Sequence, residues 1–208
     1  MKTRLPLLIL LFISSFASAQ VSLSTSYNYT LYKGAFQRSV PGVQLRVLYF
    51  FEGKSAFYFS YTHGIPISEG SMFIAAGNNA IVNVDSRIQY QFKTFNLGLY
   101  APIAGDDDTK GKLYFSPNLH YVIVGYNETA TQSYDQERYP FTSEKSEGGD
   151  DGVFANLTLG AGYKLGRLLL FGETGYAYPI PVSNNPEFNT DIPPQIIFNI
   201  GLKIKLGR

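Results

Sequence analysis

The chain has 208 residues, 17 basic and 16 acidic side chains, no cysteine, no tryptophan, and 16 tyrosines, 16 phenylalanines and 20 glycines. The lack of cysteine excludes disulfides and thiol chemistry, and the balanced charge leaves no basic surplus for nucleic acid. Past the first nineteen residues, no stretch approaches the roughly twenty consecutive apolar residues of a spanning helix.

Residues 1–19 read as an export signal. Lys2 and Arg4 form a basic start, Leu5 to Phe16 an apolar run, and Ala17-Ser18-Ala19 a small-residue cleavage site before Gln20. No cysteine follows that site to carry a lipid. The mature chain then spans 20–208 as one domain without a Pro/Gly/Ser linker. Removing Lys2 and Arg4 leaves fifteen basic against sixteen acidic residues, a net charge near −1.

The mature chain alternates with a period of two. A first strand over 21–31 sets Val21, Leu23, Tyr27 and Tyr29 against Ser22, Ser24, Ser26 and Asn28. A second over 42–51 sets Val43, Leu45, Val47 and Tyr49 against Gln44 and Arg46, and a tight turn at 52–54 leads into a third over 55–63 with Phe57, Phe59 and Tyr61 outward. After a loop of about fifteen residues, alternation resumes at Ile81. There Val82, Val84, Ile88 and Tyr90 share one face, while Asn83, Asp85, Arg87, Gln89 and Gln91 share the other. Near Lys93-Thr94 the apolar parity flips to Phe95, Leu97 and Leu99. The flip reads as a β-bulge in one long strand or as a two-residue turn starting another; the bulge keeps the strand count even.

Later strands run over 113–126, 153–163 and 167–178, with a tight turn at 164–166. The last strand alternates Ile196, Phe198, Ile200, Leu202, Ile204 and Leu206 against Ile197, Asn199, Gly201, Lys203 and Lys205. About eleven residues is the length that crosses a bilayer at a tilt. The expected fold is all-β: a transmembrane antiparallel up-and-down β-barrel of eight strands. Short turns gather at one end and long loops at the other, over 127–152 and 179–193; the 104–112 connection, with Asp106-Asp107-Asp108, is long for the short-turn end. Aromatic residues, including Tyr27, Tyr49, Phe50, Phe51, Tyr176 and Tyr178, cluster where girdles belong.

In pattern the mature chain resembles the small OmpA/OmpX-type barrels, the "porin family" or outer membrane β-barrel proteins common in Bacteroidota. The resemblance implies residence in the bacterial outer membrane, contact with its lipid, and insertion by the barrel assembly machinery. One departure is the ending Leu206-Gly207-Arg208, where many such proteins end on an aromatic residue.

Eight strands enclose a lumen that side chains fill, so inward charges should pair. Alternation places Arg46, Asp85, Arg87, His120, Glu173 and Lys203 inside, and the expectation is a lumen polar network that closes the barrel to solutes. A narrow ion path is the alternative. Ser116 and His120 bring to mind a lipid-modifying barrel enzyme, but four residues along one strand separate them by about 13 Å. No catalytic, metal or cofactor site is expected: the aspartate run lacks calcium-loop spacing, and the Asn-x-Thr matches at Asn28, Asn127 and Asn156 are incidental. The 127–152 loop carries seven carboxylates against Arg138 and Lys145. It is either the site for an extracellular ligand or protein, or a solvated loop with no ligand. The functional expectation is a non-enzymatic outer-membrane protein with a structural, surface-interaction or minor solute-passage role. Its rivals are a barrel enzyme acting on lipid and a soluble periplasmic barrel that binds a small ligand.

Overall fold

The computed structural model describes residues 20–33, 38–51, 55–77, 80–105, 109–135, 137–139, 141–143, 147–181 and 192–206. The expected export signal, the 52–54 turn and the aspartate run lie outside the described residues. Among the described residues ten strands form: β1 (Gln20–Tyr32), β2 (Ser39–Phe51), β3 (Ser55–Gly64), β4 (Ile67–Ala76), β5 (Ile81–Ala104), β6 (Gly111–Ala130), β7 (Phe141–Ser143), β8 (Glu147–Leu165), β9 (Leu168–Pro179) and β10 (Gln195–Leu206). Eight of them close a ring in the order β1-β2-β3-β5-β6-β8-β9-β10, every neighbour antiparallel. The seam joins the first strand to the last, from Val21 opposite Leu206 to Tyr32 opposite Gln195. Closure matters because hydrocarbon offers no hydrogen bond to a free strand edge.

The ring's outer wall is apolar. Leu23, Val43, Leu45, Phe57, Leu97, Leu119, Leu157, Ile200 and Leu202 all stand exposed on it, while the alternate positions, such as Ser24, Gln44, Ser60, Asn118 and Thr158, are buried inside. An apolar surface wrapping a polar interior is stable only with hydrocarbon outside, so the barrel spans a membrane.

β5 and β6, of 24 and 20 residues, are much longer than the crossing requires. At about 3.3 Å per residue β5 extends on the order of 80 Å, against an apolar band roughly 25 Å tall. Their surplus rises past the barrel rim at the long-loop end as a sheet with β4 and β7. β3 and β4 lie end to end along β5: His63 faces Lys93 and Ile67 faces Tyr90, so four steps on one strand oppose three on the other. One extra residue therefore sits near Ile65-Pro66, where the Ile65 amide donates to the Pro41 carbonyl at 2.7 Å. Burial passes with it from even positions in β3 (Ala56, Tyr58, Ser60) to odd ones in β4 (Phe73, Ala75).

Three expectations change here. The supposed loop after His63 is mostly β4; its Ile-Ser-Glu-Gly-Ser-Met run has no period because its lower half is open to water on both faces. The parity break belongs to the β3–β4 junction, and β5 runs through Lys93-Thr94 without one. The irregularity β5 does carry is at Pro102–Ala104, beside the short-turn end. Even positions of β5 face inward throughout: Val84, Ser86, Phe92, Thr94, Asn96 and Tyr100 are all buried. What inverts near Lys93 is the surroundings. Below it the outer face meets lipid and is apolar; above it that face meets water and is polar, while the inner face packs Val84 on Phe73 and Ala75, with Val82, Tyr134 and Tyr139 against them. The 127–152 loop shrinks too, since Asn127 pairs with Glu147 and both flanks are strand.

This boundary sets a measurable contrast. Leu97→Arg, on the lipid side, should destabilise the barrel by about 2–4 kcal/mol. Gln89→Arg, on the same outer face eight residues higher, should stay within about 0.5 kcal/mol. Urea unfolding in phospholipid vesicles compares the two.

Candidate functional site: the sealed lumen

The lumen is built in three layers, each from inward positions at one height of the ring. At the short-turn end Leu48, Ala56, Tyr58, Tyr100 and Tyr114 pack together with Phe50 against them. Phe50, expected in an interfacial girdle, instead meets Tyr100 edge-on inside the barrel at 5.9 Å between ring centres. At the long-loop end a second apolar layer joins Tyr32, Val40, Phe92, Val122, Val124, Phe154, Ala177, Ile192 and Ile197.

Between the two lies the polar layer. Its centre is a bidentate ion pair, Arg46 Nη1 to Glu173 Oε1 at 2.6 Å and Nη2 to Oε2 at 2.7 Å. β2 and β9 present these side chains across the barrel, and both are buried. The Tyr114 hydroxyl donates to Oε1 of the same carboxylate at 2.8 Å, and Asn199 Nδ2 donates to Oε2 at 3.0 Å. Arg46 also donates to Gln44 Oε1 at 2.9 Å, and its guanidinium sits 4.8 Å from the Tyr58 ring centre. From Asn199 the chain of bonds continues to Asn28 and Thr30, and from Gln44 to Thr62. A charge pair inside a barrel costs heavily in desolvation, and fork geometry with satisfied oxygens is what offsets it.

Small residues make room for the large ones. A Cβ on Gly160 of β8 would stand 2.3 Å from Tyr114 Cζ and 2.6 Å from its hydroxyl. Glycine there, paired with Tyr114 on one side and Glu173 on the other, lets the ring lie across β8 and reach Glu173. This alternation of small and large fills a small barrel. The cavity left in the polar layer is ≈ 10 Å³, and the one beside Lys203 and Tyr114 is also ≈ 10 Å³. Each is about the room for one water. Arg46 Nε, Asn156 Oδ1 and Gln195 Nε2 are the inward polar atoms here without a protein hydrogen bond among the described residues.

The six charged residues expected in the lumen divide. Arg46 and Glu173 pair. His120 is buried, with Nδ1 against Asn96 Oδ1 and Nε2 3.2 Å from Gln195 Oε1, and its ring stands edge-on to Phe154. Lys203 is half-buried at the short-turn mouth, 4.4 Å from the Tyr100 ring centre. Asp85 and Arg87 are not in the lumen; they are exposed on the outer face of β5 above the rim, because the parity there is the reverse of that expected. Missed were Tyr114, Gln44 and Asn199, whose inward parity was legible but whose part in holding Glu173 and Arg46 depends on register: Asn199 faces Glu173 on the next strand, only Gly160 stands between Tyr114 and Glu173, and Gln44 is two residues along β2 from Arg46. Ser116 and His120 do not meet: the Ser116 hydroxyl donates to the Leu99 carbonyl at 2.6 Å. Among the described residues no cluster of three metal-binding side chains occurs. The acidic loop is partly absorbed into structure. Glu128 is buried and accepts from the Ser86 hydroxyl, and Asp151 accepts from the Tyr121 hydroxyl.

Solved structures share this architecture. The neisserial surface protein A matches at TM-score 0.55 with 9% identity over 90% of this chain and 97% of its own. A major outer membrane protein of Thermus thermophilus matches at 0.53 with 14% identity, over 91% and 100%. Ail, the attachment invasion locus protein of Yersinia pestis, matches at 0.52 with 10% identity, over 90% and 99%. No family model and no curated protein sequence matches the chain. The fold is that of the small bacterial outer-membrane barrels, and with the chain's own apolar belt it makes this an outer-membrane protein.

Two experiments probe the lumen. Glu173→Leu strands the Arg46 charge and should cost about 3–5 kcal/mol, while adding Arg46→Met should restore much of that loss. Gly160→Val should drive the Tyr114 ring from Glu173 and cost about 1–3 kcal/mol. Both are read as shifts in the urea midpoint of the refolded barrel.

Proposed function

We propose that the protein is a non-enzymatic component of the outer membrane, a closed barrel that anchors and presents a sheet at the cell surface and does not conduct solutes. The observation that carries this reading is the sealed lumen: an ion-paired polar layer between two apolar layers, with cavities of only ≈ 10 Å³. A porin role needs a continuous wet path, and side chains occupy that volume. Lipid hydrolysis needs a nucleophile and base in reach, and Ser116 and His120 bond elsewhere. A soluble ligand carrier would not expose Leu45, Leu97 and Ile200 in a continuous belt. In this reading the lumen network, with Arg46 and Glu173 at its centre, His120 above them and Lys203 at the mouth, rigidifies the anchor.

The presented element is the sheet of β4, β7 and the upper parts of β5 and β6. Its outer face offers Asn83, Asp85, Arg87 and Gln89 to water, and the connecting segment adds Asp135, Glu137 and Arg138. Ail has been crystallised with the heparin analogue sucrose octasulfate. The sheet here carries carboxylates of its own among its cations, so a partner of mixed or positive charge suits it better than a polysulfate.

Planar-bilayer recording on the purified, refolded protein tests the closed lumen. No stable openings are expected. Stable ohmic openings would return the protein to the solute-passage class.

A further inference from the structure

We propose that the short-turn mouth of the barrel is a docking face for a flexible acidic polymer of the periplasm, one that carries carboxylates along its length. Charge is divided unevenly between the two ends of the chain's strands. Lys110, Lys112, Lys164, Arg167, Lys203 and Lys205 all lie at the short-turn end, and no carboxylate accompanies them among the described residues of that end. Its turns and tail add Lys54 and Arg208 against Glu52, Asp106, Asp107 and Asp108. Eight cations thus meet four carboxylates, and the end stays positive whatever pairs form within it. Apart from the buried Arg46 and Glu173, the other charges of residues 20–208 fall toward the long-loop end, where eleven carboxylates meet six cations.

Register gathers the six described cations on one arc of the rim. The Lys164 amide donates to the Lys110 carbonyl at 2.8 Å, which continues the pairing of Gly111 with Tyr163 and sets the two lysines opposite each other. Lys112 follows two residues along β6. Lys164 of β8 and Lys203 of β10 both face Leu169 of β9, from its two sides. Arg167 sits in the turn between β8 and β9. Like charges opposite one another destabilise an antiparallel pair, and a bound anion offsets that cost.

Strand parity selects where the anion lies. Lys112, Lys164, Lys203 and Lys205 share the inward face of their strands with the buried Tyr114, Thr158 and Asn199, whereas their neighbours Leu113, Leu165, Ile204 and Leu206 are exposed on the lipid side. A leucine or isoleucine therefore stands between each of these lysines and the bilayer, and the ammonium groups serve the mouth instead of the lipid headgroups. Lys203 shows the direction, with Nζ 4.4 Å from the Tyr100 ring centre and 5.9 Å from that of Tyr114. The apolar layer of Leu48, Tyr58, Tyr100 and Tyr114 closes the lumen behind it, so an anion stops at the mouth. Short turns of outer-membrane barrels face the periplasm.

The spread and type of the cations select a polymer. Four consecutive strands make an arc of about 14 Å, wider than one small anion. Five of the six are lysines, point charges on flexible stems without the planar fork that grips a single phosphate. Such a set reads successive charges along a chain.

Isothermal titration of the refolded barrel, held in phosphatidylcholine nanodiscs, with short poly-L-glutamate tests the assignment. At low salt the wild type should bind it, and a Lys110→Gln, Lys164→Gln, Arg167→Gln triple variant should bind about tenfold more weakly. All three side chains are exposed, and heat-modifiable migration on gels reports the fold. Lys164→Glu alone reverses one charge and stands in if the triple variant does not refold. Arg87→Gln, at the far end of the molecule, should leave the affinity unchanged. Added salt should weaken the wild type more than the triple variant. No binding, or equal affinity in the wild type and the neutralised variants, would overturn the proposal. So would a wild type that ignores poly-glutamate yet is stabilised against urea by phosphatidylglycerol nanodiscs where the variants are not, since the cations would then belong to lipid headgroups.

Discussion

The backbone hydrogen bond in hydrocarbon is the constraint from which the rest follows. Each unsatisfied amide or carbonyl in the membrane costs several kcal/mol, so a sheet there must close on itself. The seam between β1 and β10 accomplishes this with twelve facing residue positions from Val21 to Tyr32. Once the ring is closed with eight strands, its lumen is narrow, and inward side chains such as Arg46 and Glu173 meet across it. The ion pair of Arg46 and Glu173 is a consequence: two charges that could not face lipid find each other because the interior leaves no other place for them.

The same geometry separates anchor from display. Below the rim the outward side chains are apolar, and the polar ones turn inward. Above the rim the rule is reversed on the same continuous strands, since the outside is now water and the inside is the core of a small sheet. In the proposed reading, lumen closure and surface presentation are two outcomes of one pair of long strands, β5 and β6, crossing from hydrocarbon into solvent.

The eight ring strands were legible from the alternation, because side-chain period and membrane contact reinforce each other over 21–31, 113–126 or 196–206. The inward placement of Arg46, His120 and Glu173 was legible for the same reason. Asp85 and Arg87 were misplaced because the polar face was equated with the inner face, which holds only inside the bilayer; no local property of Ile81 to Gln91 announces that its surroundings are water. The extra residue near Ile65-Pro66 was hidden because β4 lacks a period. Tyr114 reaches Glu173 only because Gly160 lies between them in the register, and such complementarity over three neighbouring strands is a property of the assembled sheet, absent from any one strand.

The reversal along β5 is the claim to which everything else is tied, and the cysteine-free chain suits a direct test. Single cysteines introduced at successive positions from 83 to 99 and spin-labelled in phospholipid bilayers report contact with oxygen, which partitions into lipid, or with a water-soluble nickel chelate. Odd positions 95 to 99 should favour oxygen and odd positions 83 to 91 the chelate, with even positions shielded from both along the whole strand. Lipid exposure passing from odd to even positions above 93 would contradict the account, since the strand itself would then change faces.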